Sequence, residues 1–280
     1  MMKILPVIVL YKKKIEECES LFSLIKMDGI LTYIDTIYIH DNSANENQPI
    51  KKYGTFKVKY YGDGYNHGVS KAYNDACRYA KENGYTWLLL LDQDTQFPEN
   101  ALNEYCCGIN SYPGLPLYVP VLRTKDDIIC SPCAYRWHRG FTPRQLKIGV
   151  NSLNEFSPIN SGMLIRVESF IAAGGYNEKV YLDFSDFQFI ERVRIVQDKF
   201  CIINLEAKQD FSNDTNDVRS LISRFKIYCE CALNCEKKTI IDKIQYASIV
   251  FARTSKLFIR TKNIEFFKIF FMQYIFKGES

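Results

Sequence analysis

No apolar stretch in this 280-residue chain reaches the ~18 to 20 uninterrupted residues that a membrane-spanning helix needs. Nor does one sign of charge dominate. Thirty-six basic residues against thirty-two acidic ones leave a net +4, too little to point to nucleic acid as a partner. Internal repeats are absent. Ten cysteines occur, but without the even spacing of a disulfide framework, so reduced thiols in a cytosolic setting are expected. Cys130-Ser131-Pro132-Cys133 with nearby His138 lacks the second cysteine pair of a zinc site, so ordinary thiols are expected there too. The N-terminal MMKILPVIVLYKKK has the basic start and apolar stretch of a short signal peptide. It has no small-residue cleavage site, however, and runs at once into three lysines, so residues 4–11 read as a first strand. Asn213-Asp214-Thr215 is formally a glycosylation acceptor, which a cytosolic chain would not present to that machinery. With 47% apolar and 24% charged residues the composition is that of an ordinary globular protein. The length allows one large α/β domain with an appendage; the expected division is residues 1–215 and 216–280.

Strand and helix patterns alternate through the first half, the signature of a mainly parallel sheet flanked by helices. Strands are expected at 4–11, 36–40, 56–61 and 87–91, with helices over 15–27 and 69–82 between them. A helix from Pro98 to about 109 follows. Four prolines and glycines at 113, 114, 116 and 120 then break the pattern, and 117–150 reads as short strands and loops. Further along, 159–167 is strand-like, 168–173 a short helix, 185–196 a helix and 200–204 a last strand. Residues 206–217 are polar and expected to be mobile. From Val218 no glycine occurs until Gly278, and the pattern is helical.

The most informative segment is residues 88–95, LLLLDQDT. Four leucines after Tyr85, Thr86 and Trp87 read as a strand buried on both faces. Asp92 and Asp94 at its end would sit where open α/β sheets bind ligands, outside the carboxyl ends of the strands. One residue apart, both can reach one Mg²⁺ or Mn²⁺ ion and one diphosphate. Without a cation such a pair is costly, since neighbouring carboxylates resist joint ionisation. A solvated turn is the plain alternative.

Four other groups qualify. Asp41, ending the second strand, could accept a hydrogen bond from a base N–H or be a turn residue. Gly62-x-Gly64-x-x-x-Gly68 is one residue too long for a dinucleotide fingerprint, yet Asn66, Gly68 and Asn74 enter a helix whose free N–H groups would suit an anion. Asp183 and Asp186 share a helical face, and Asp183 also suits an N-cap. Asp186 lies among Phe184, Phe187 and Phe189, where desolvation would raise its pKa toward that of a general base. Arg192, six residues on, could neutralise phosphate or form a salt bridge. Finally, residues 253–277 mix basic side chains with phenylalanines. This fits either a helix packed on the core with snorkelling lysines or a membrane-surface helix. The membrane surface is the expectation, since the phenylalanines fall on several sides.

Taken in order, residues 7–11, Asp41-Asn42-Ser43, Asn66-His67-Gly68 through Asn74, Asp92-Gln93-Asp94, Asn160-Ser161-Gly162, Gly174-Gly175-Tyr176 and Asp183…Asp186…Arg192 resemble the family 2 glycosyltransferases. The likeness is greatest to the rhamnosyltransferase-like branch and covers about residues 4–192. It implies an α/β glycosyltransferase A fold, with a mainly parallel Rossmann-like sheet and a helical C-terminal extension. It also implies a nucleotide-sugar donor and inversion at the anomeric carbon. By position it gives Asp41 the pyrimidine base, Asp92 the ribose and metal, Asp94 the divalent metal, and Asp186 the general base. Asn66, Gly68, Asn74 and Arg192 fall on the donor side, and Ser161, Gly162 and Asp183 on the acceptor side. Relatives often carry a metal-ligating histidine after the last strand. Here that region reads Leu205-Glu206-Ala207-Lys208-Gln209-Asp210, so Gln209 or Asp210 would have to substitute. The resemblance and the basic tail together imply a saccharide or lipid-linked oligosaccharide acceptor, and cytoplasmic work at the inner membrane face. Two other classes stand beside this one. Haloacid-dehalogenase-like phosphatases also use Asp-x-Asp after an apolar strand, but on the first strand and with Thr two residues beyond the second Asp. A non-catalytic nucleotide-sugar-binding module is the third.

Overall fold

The computed structural model describes residues 2–43, 47–210 and 217–276. The first half runs β1 (Ile4–Leu10), α1 (Glu19–Leu24), β2 (Thr36–Asp41), β3 (Lys52–Tyr53), β4 (Phe56–Tyr61), α2 (Gly68–Glu82), β5 (Trp87–Asp92), β6 (Thr95–Gln96) and α3 (Ala101–Ser111). Then come β7 (Leu117–Arg123), β8 (Ile129–Ser131), β9 (Cys133–Arg136), β10 (Arg139–Phe141), β11 (Gly149–Ser152), β12 (Phe156–Ser157), β13 (Met163–Arg166) and α4 (Val167–Ala172). The chain closes with α5 (Ser185–Val196), β14 (Lys199–Gln209), α6 (Val218–Asn234), α7 (Ile240–Thr261) and α8 (Glu265–Ile269), followed by a wide π-helical turn, Phe270–Ile275.

Eleven strands form one sheet whose path is β11-β14-β7-β13-β5-β1-β2-β4-β3. β5, β1, β2 and β4 are parallel; β13 is inserted antiparallel between β5 and β7. The chain goes from β1 to β2 on one side and returns to β5 on the other, so the strand order reverses at β1. That reversal opens a crevice at the carboxyl ends of β1 and β5, the usual ligand position in such sheets.

The leucine run shows why β5 is central. Leu89 and Leu91 enter the core beneath α1 and α3, while Leu88 and Leu90 enter the opposite core beneath α2, α4 and α5. Alternate side chains of a strand point to opposite faces, so only a strand covered twice reads as unbroken leucine. A third core joins α6, α7 and α8 to Val180 and Phe184, so apolar contacts cross the expected division near residue 215.

Several expected elements shift. The helix over 15–27 is a 3₁₀ turn, Ile15–Glu17, and then the short α1. The last strand runs well past residue 204. After a register shift Glu206, Ala207 and Lys208 pair with β7, and Lys208 and Gln209 with β6, so 206–209 is ordered strand where a polar loop was expected. Residues 44–46, the sequon at 213–215, Lys277 and Gly278 lie outside the described residues.

Candidate active site

Register places the acidic residues. Asp92 pairs with Val9 and Asp41 with Leu10, so the two carboxylates flank the end of β1 from either side. The turn after β5 is tied down by its own short polar residues. Gln93 clips it to the end of β1, its Oε1 accepting from the Tyr11 N–H at 2.8 Å and its Nε2 donating to the Tyr11 carbonyl at 3.2 Å. Ser20 Oγ stands against the carbonyls of Asp92 and Thr95 and accepts the Thr95 N–H at 3.2 Å. The Asp92 N–H donates to Ser161 Oγ at 3.1 Å, and that hydroxyl meets Thr95 Oγ1 at 2.7 Å.

The carboxylates themselves are poorly neutralised. Asp92 takes one hydrogen bond, from Tyr73 Oη at 3.2 Å. Burial pushes its pKa up to about 6 against that bond, and the charge of Asp186 pushes it further. Asp94 reaches about 7, raised by burial and by Asp92, with Lys13 opposing from a distance and Asp210 adding to the rise. Gln209, buried at the end of β14, donates from Nε2 to Asp94 Oδ1 at 2.5 Å, while its Oε1 receives the Thr95 hydroxyl.

Asp186 stands in the first turn of α5, after Phe184 in the left-handed region at φ 65°. Its carboxylate accepts the Phe187 N–H at 2.8 Å. Burial lifts its pKa to about 6; that N–H opposes the rise and the charge of Asp183 adds to it. Between Asp186 and Asp92 lie two tyrosines, Tyr73 and Tyr176, with ring centroids 5.3 Å apart. Both acidic charges bear on both phenols, which burial already holds far above their usual pKa. Tyr176 is fixed by stacking on Phe189 at 4.1 Å and by donating to Asn160 Oδ1 at 2.7 Å. The sequence reading names Tyr176 only as part of Gly174-Gly175-Tyr176 and does not name Tyr73, a bulky residue on the buried, mostly small-residue face of α2.

Asp41 is buried and accepts three hydrogen bonds: from Ser43 N–H (2.8 Å), Asn47 Nδ2 (2.7 Å) and Tyr60 Oη (2.7 Å). A carboxylate offers about four acceptor sites, of which the described residues fill three.

Other expected site residues are occupied elsewhere. The N–H groups entering α2 are not free: His67 donates to Asn42 Oδ1 (3.1 Å), Gly68 to Asn66 Oδ1 (2.9 Å) and Val69 to the Tyr181 carbonyl (2.9 Å). Gly68, at φ 79°, is required because a Cβ there would strike Tyr181. Asn74 is a brace. Its Oδ1 accepts the Tyr176 N–H at 2.9 Å and its Nδ2 donates to the Tyr176 carbonyl and Glu178, both at 3.0 Å. Arg192 pairs with Glu236 and donates to the Gly175 carbonyl at 2.8 Å. Its partner belongs to the stretch between α6 and α7, which sequence spacing could not bring near. Gly162 is packed inward at φ 77°, where a Cβ would meet Pro120 at 2.6 Å, and Ser161 serves the Asp92 turn. Asp183 is gripped by both terminal nitrogens of Arg224.

No group of three or more His, Cys, Asp or Glu side chains suited to a metal occurs among the described residues. Two crowded carboxylates nevertheless fit Mg²⁺ or Mn²⁺, which use one or two protein carboxylates and fill the remaining positions with phosphate and water oxygens. Gln209 Oε1 already accepts the Thr95 hydroxyl, and Asp210 is close enough for its charge to act on Asp94. Asp92 and Asp94 would hold the ion.

The fold is that of the glycosyltransferase A proteins, and comparison with known proteins shows what the chain is similar to. Residues 14–105 match the model of glycosyl transferase family 2. The dTDP-rhamnosyl transferase RfbF of Shigella flexneri is 23% identical over 187 residues, which are 66% of this chain and 61% of that protein. This chain thus spans about three-fifths of the length of that curated relative. GalNAc-T7, solved with UDP, GalNAc and Mn²⁺, superimposes with a TM-score of 0.62 at 15% identity, over 98% of this chain and 54% of that one. Staphylococcus aureus TarS 1–349 with UDP-GlcNAc gives 0.56 at 14%, over 91% and 73%. Over residues 14–105 the chain is thus similar to glycosyl transferase family 2, and over 187 residues to a dTDP-rhamnosyl transferase.

Proposed function

We propose that the chain is an inverting glycosyltransferase. It moves a sugar from a dTDP- or UDP-sugar to a hydroxyl of a saccharide or lipid-linked acceptor in bacterial surface-polysaccharide synthesis. The observation that carries this reading is the charge of Asp186 acting on Asp92 across the Tyr73–Tyr176 pair. A base and an acidic tip so coupled can serve one substrate. RfbF, by its name, uses a dTDP-sugar, which favours that donor class here.

Asp41 accepts the N–H of the base, the described residues filling three of its about four acceptor sites. A divalent ion held by Asp92 and Asp94 supplies, when bound, positive charge against the leaving diphosphate. Asp186 takes the proton of the acceptor hydroxyl as that oxygen attacks the anomeric carbon. With a pKa of about 6 it is ionised at neutral pH yet basic enough to share a proton, the range general bases need. Tyr73 holds Asp92 in place by its hydrogen bond.

A membrane surface is the second part of the proposal. On α7, Ile240, Ile241, Ile244, Phe251 and Ile259 are exposed, and Phe271, Met272 and Phe276 continue the apolar surface. Lys243, Lys256, Arg260 and Lys268 are exposed around them. No described helix is long and apolar enough to cross a membrane, and such a face instead fits the headgroup boundary of an anionic bilayer. Co-sedimentation with vesicles containing phosphatidylglycerol should capture the chain, and capture should fail for Phe251→Glu. Equal recovery with and without vesicles would remove the membrane from the proposal.

The activity itself is tested by incubating the protein with dTDP-rhamnose and Mn²⁺ and following dTDP release. Slow release that disappears in Asp186→Asn supports the transferase. Phosphate release from simple phosphomonoesters, with none from nucleotide sugars, would overturn it.

A further inference from the structure

Beside the acidic tip stands a nearly buried side-chain donor that the proposed mechanism leaves idle. We infer that the Asn160 amide recognises the sugar being transferred, its Nδ2 donating a hydrogen bond to one ring hydroxyl. This rests on the transferase reading and adds to it a residue that selects among sugars.

Three observations carry it. First, the amide is half used. Asn160 is 8% exposed; its Oδ1 accepts the Tyr176 hydroxyl at 2.7 Å, while Nδ2 has no partner among the described residues. The unpartnered side-chain atoms sealed from solvent belong to His40, Arg123, Gln188 and Tyr246, so Nδ2 of Asn160 keeps an opening. A nearly buried donor left without an acceptor is destabilising, and a ligand oxygen would relieve it. Second, the amide is held between the two acids. The next residue, Ser161, accepts the Asp92 N–H at 3.1 Å and ties this stretch to the acidic tip. The Tyr176 ring that holds the amide lies 5.3 Å from that of Tyr73, the donor to Asp92. On its other side it stacks at 4.1 Å on Phe189, three residues after Asp186. Third, the chemistry of the place suits a hydroxyl. In an inverting displacement the leaving and attacking groups stand on opposite faces of the anomeric carbon, so a group between metal tip and base meets the sugar itself. The ring oxygen gains positive charge in such a transition state and is a poor partner for an N–H, whereas a hydroxyl oxygen keeps its lone pairs. The hold of Tyr176 on Oδ1 also fixes the direction of Nδ2, which discrimination at a single hydroxyl requires.

The test is calorimetry of dTDP and of dTDP-rhamnose, each with Mn²⁺, on the full chain. Asn160→Ala should bind dTDP-rhamnose about fivefold more weakly than the wild type, the loss of one neutral hydrogen bond, and bind dTDP equally well. Tyr176→Phe, which frees the amide to turn, should show a smaller loss confined to the sugar nucleotide. Among dTDP-rhamnose analogues lacking the 2-, 3- or 4-hydroxyl, one should lose the same factor with the wild type and nothing further with Asn160→Ala, since both changes delete one contact. Unchanged dTDP-rhamnose affinity in Asn160→Ala, or an equal loss for dTDP and dTDP-rhamnose, would overturn the proposal. The first result leaves the amide without a sugar contact, and the second makes it a brace alone. Failure of the wild type to bind either nucleotide would instead strike the transferase reading itself.

Discussion

Two sets of carboxylates in this molecule are treated in opposite ways. Where α5 meets the C-terminal helices, four acids have a basic partner: Asp183 has Arg224, Glu236 has Arg192, and Glu191 and Asp242 share His138 at 2.7 and 3.2 Å. At the tip of β5 and the start of α5, Asp92, Asp94 and Asp186 have none within salt-bridge range among the described residues, and their pKa values rise to between about 6 and 7. The same chain supplies counter-charges where acids hold helices together and withholds them where acids line the crevice. Buried like charges left unpaired are destabilising. Under the proposed function they are the place for an external cation and a proton in transit.

The sharpest way to break this comparison is to remove the base. Asp186→Asn should lower turnover by ~10²- to 10⁴-fold while dTDP affinity persists; lost donor affinity would move Asp186 out of the base role. Wild-type rates should fall as pH drops through about 6, where the base becomes protonated, and single-turnover profiles would show it. Next, Gln209→His would place a nitrogen ligand beside Asp94 and should tighten Mn²⁺ binding about tenfold, read by competition with a fluorescent chelator. In the neutralised region, Arg224→Ala should lower unfolding free energy by about 1–2 kcal/mol. That is less than a fully buried pair would cost, because the Arg224 side chain is 45% exposed. Chemical denaturation measures it.

The smallest expected effect concerns His138. Burial pulls its pKa down, but Glu191 and Asp242 outweigh that and hold it above 6.5. With acids on both ring nitrogens, only the imidazolium can donate twice. A raised folded pKa gives stability that is complete below pH 6.5 and lost as pH rises through the folded value. The melting temperature should therefore decline over that window, and the decline should be shallower in His138→Gln.

The sheet was largely legible from its residues. The leucine run needed a twice-covered strand, and turn residues bounded the others. Asp92, Asp94 and Asp186 were legible too, because an acid after an apolar strand or among phenylalanines is conspicuous. Arg192 and Asn74 were not. Their partners, Glu236 and Tyr176, are 44 and 102 residues away, and spacing along one helix says nothing of such contacts. At Asn66 and Gly68 the sequence likewise could not show that Asn42 and Tyr181 bond the N–H groups of the helix start. Gln209 was named only as a replacement for an absent histidine. Its place beside Asp94 depends on β14 running five residues further than its apolar part suggests.

The most direct test of the acidic tip is the free-Mn²⁺ electron paramagnetic resonance signal, titrated with protein in the presence of dTDP. The signal should fall to a limit of one ion per chain, only weakly without dTDP, and Asp94→Ala should abolish the fall. An undiminished signal in the wild-type protein, or equal loss in Asp94→Ala, would mean the two carboxylates at the end of β5 do not hold the ion.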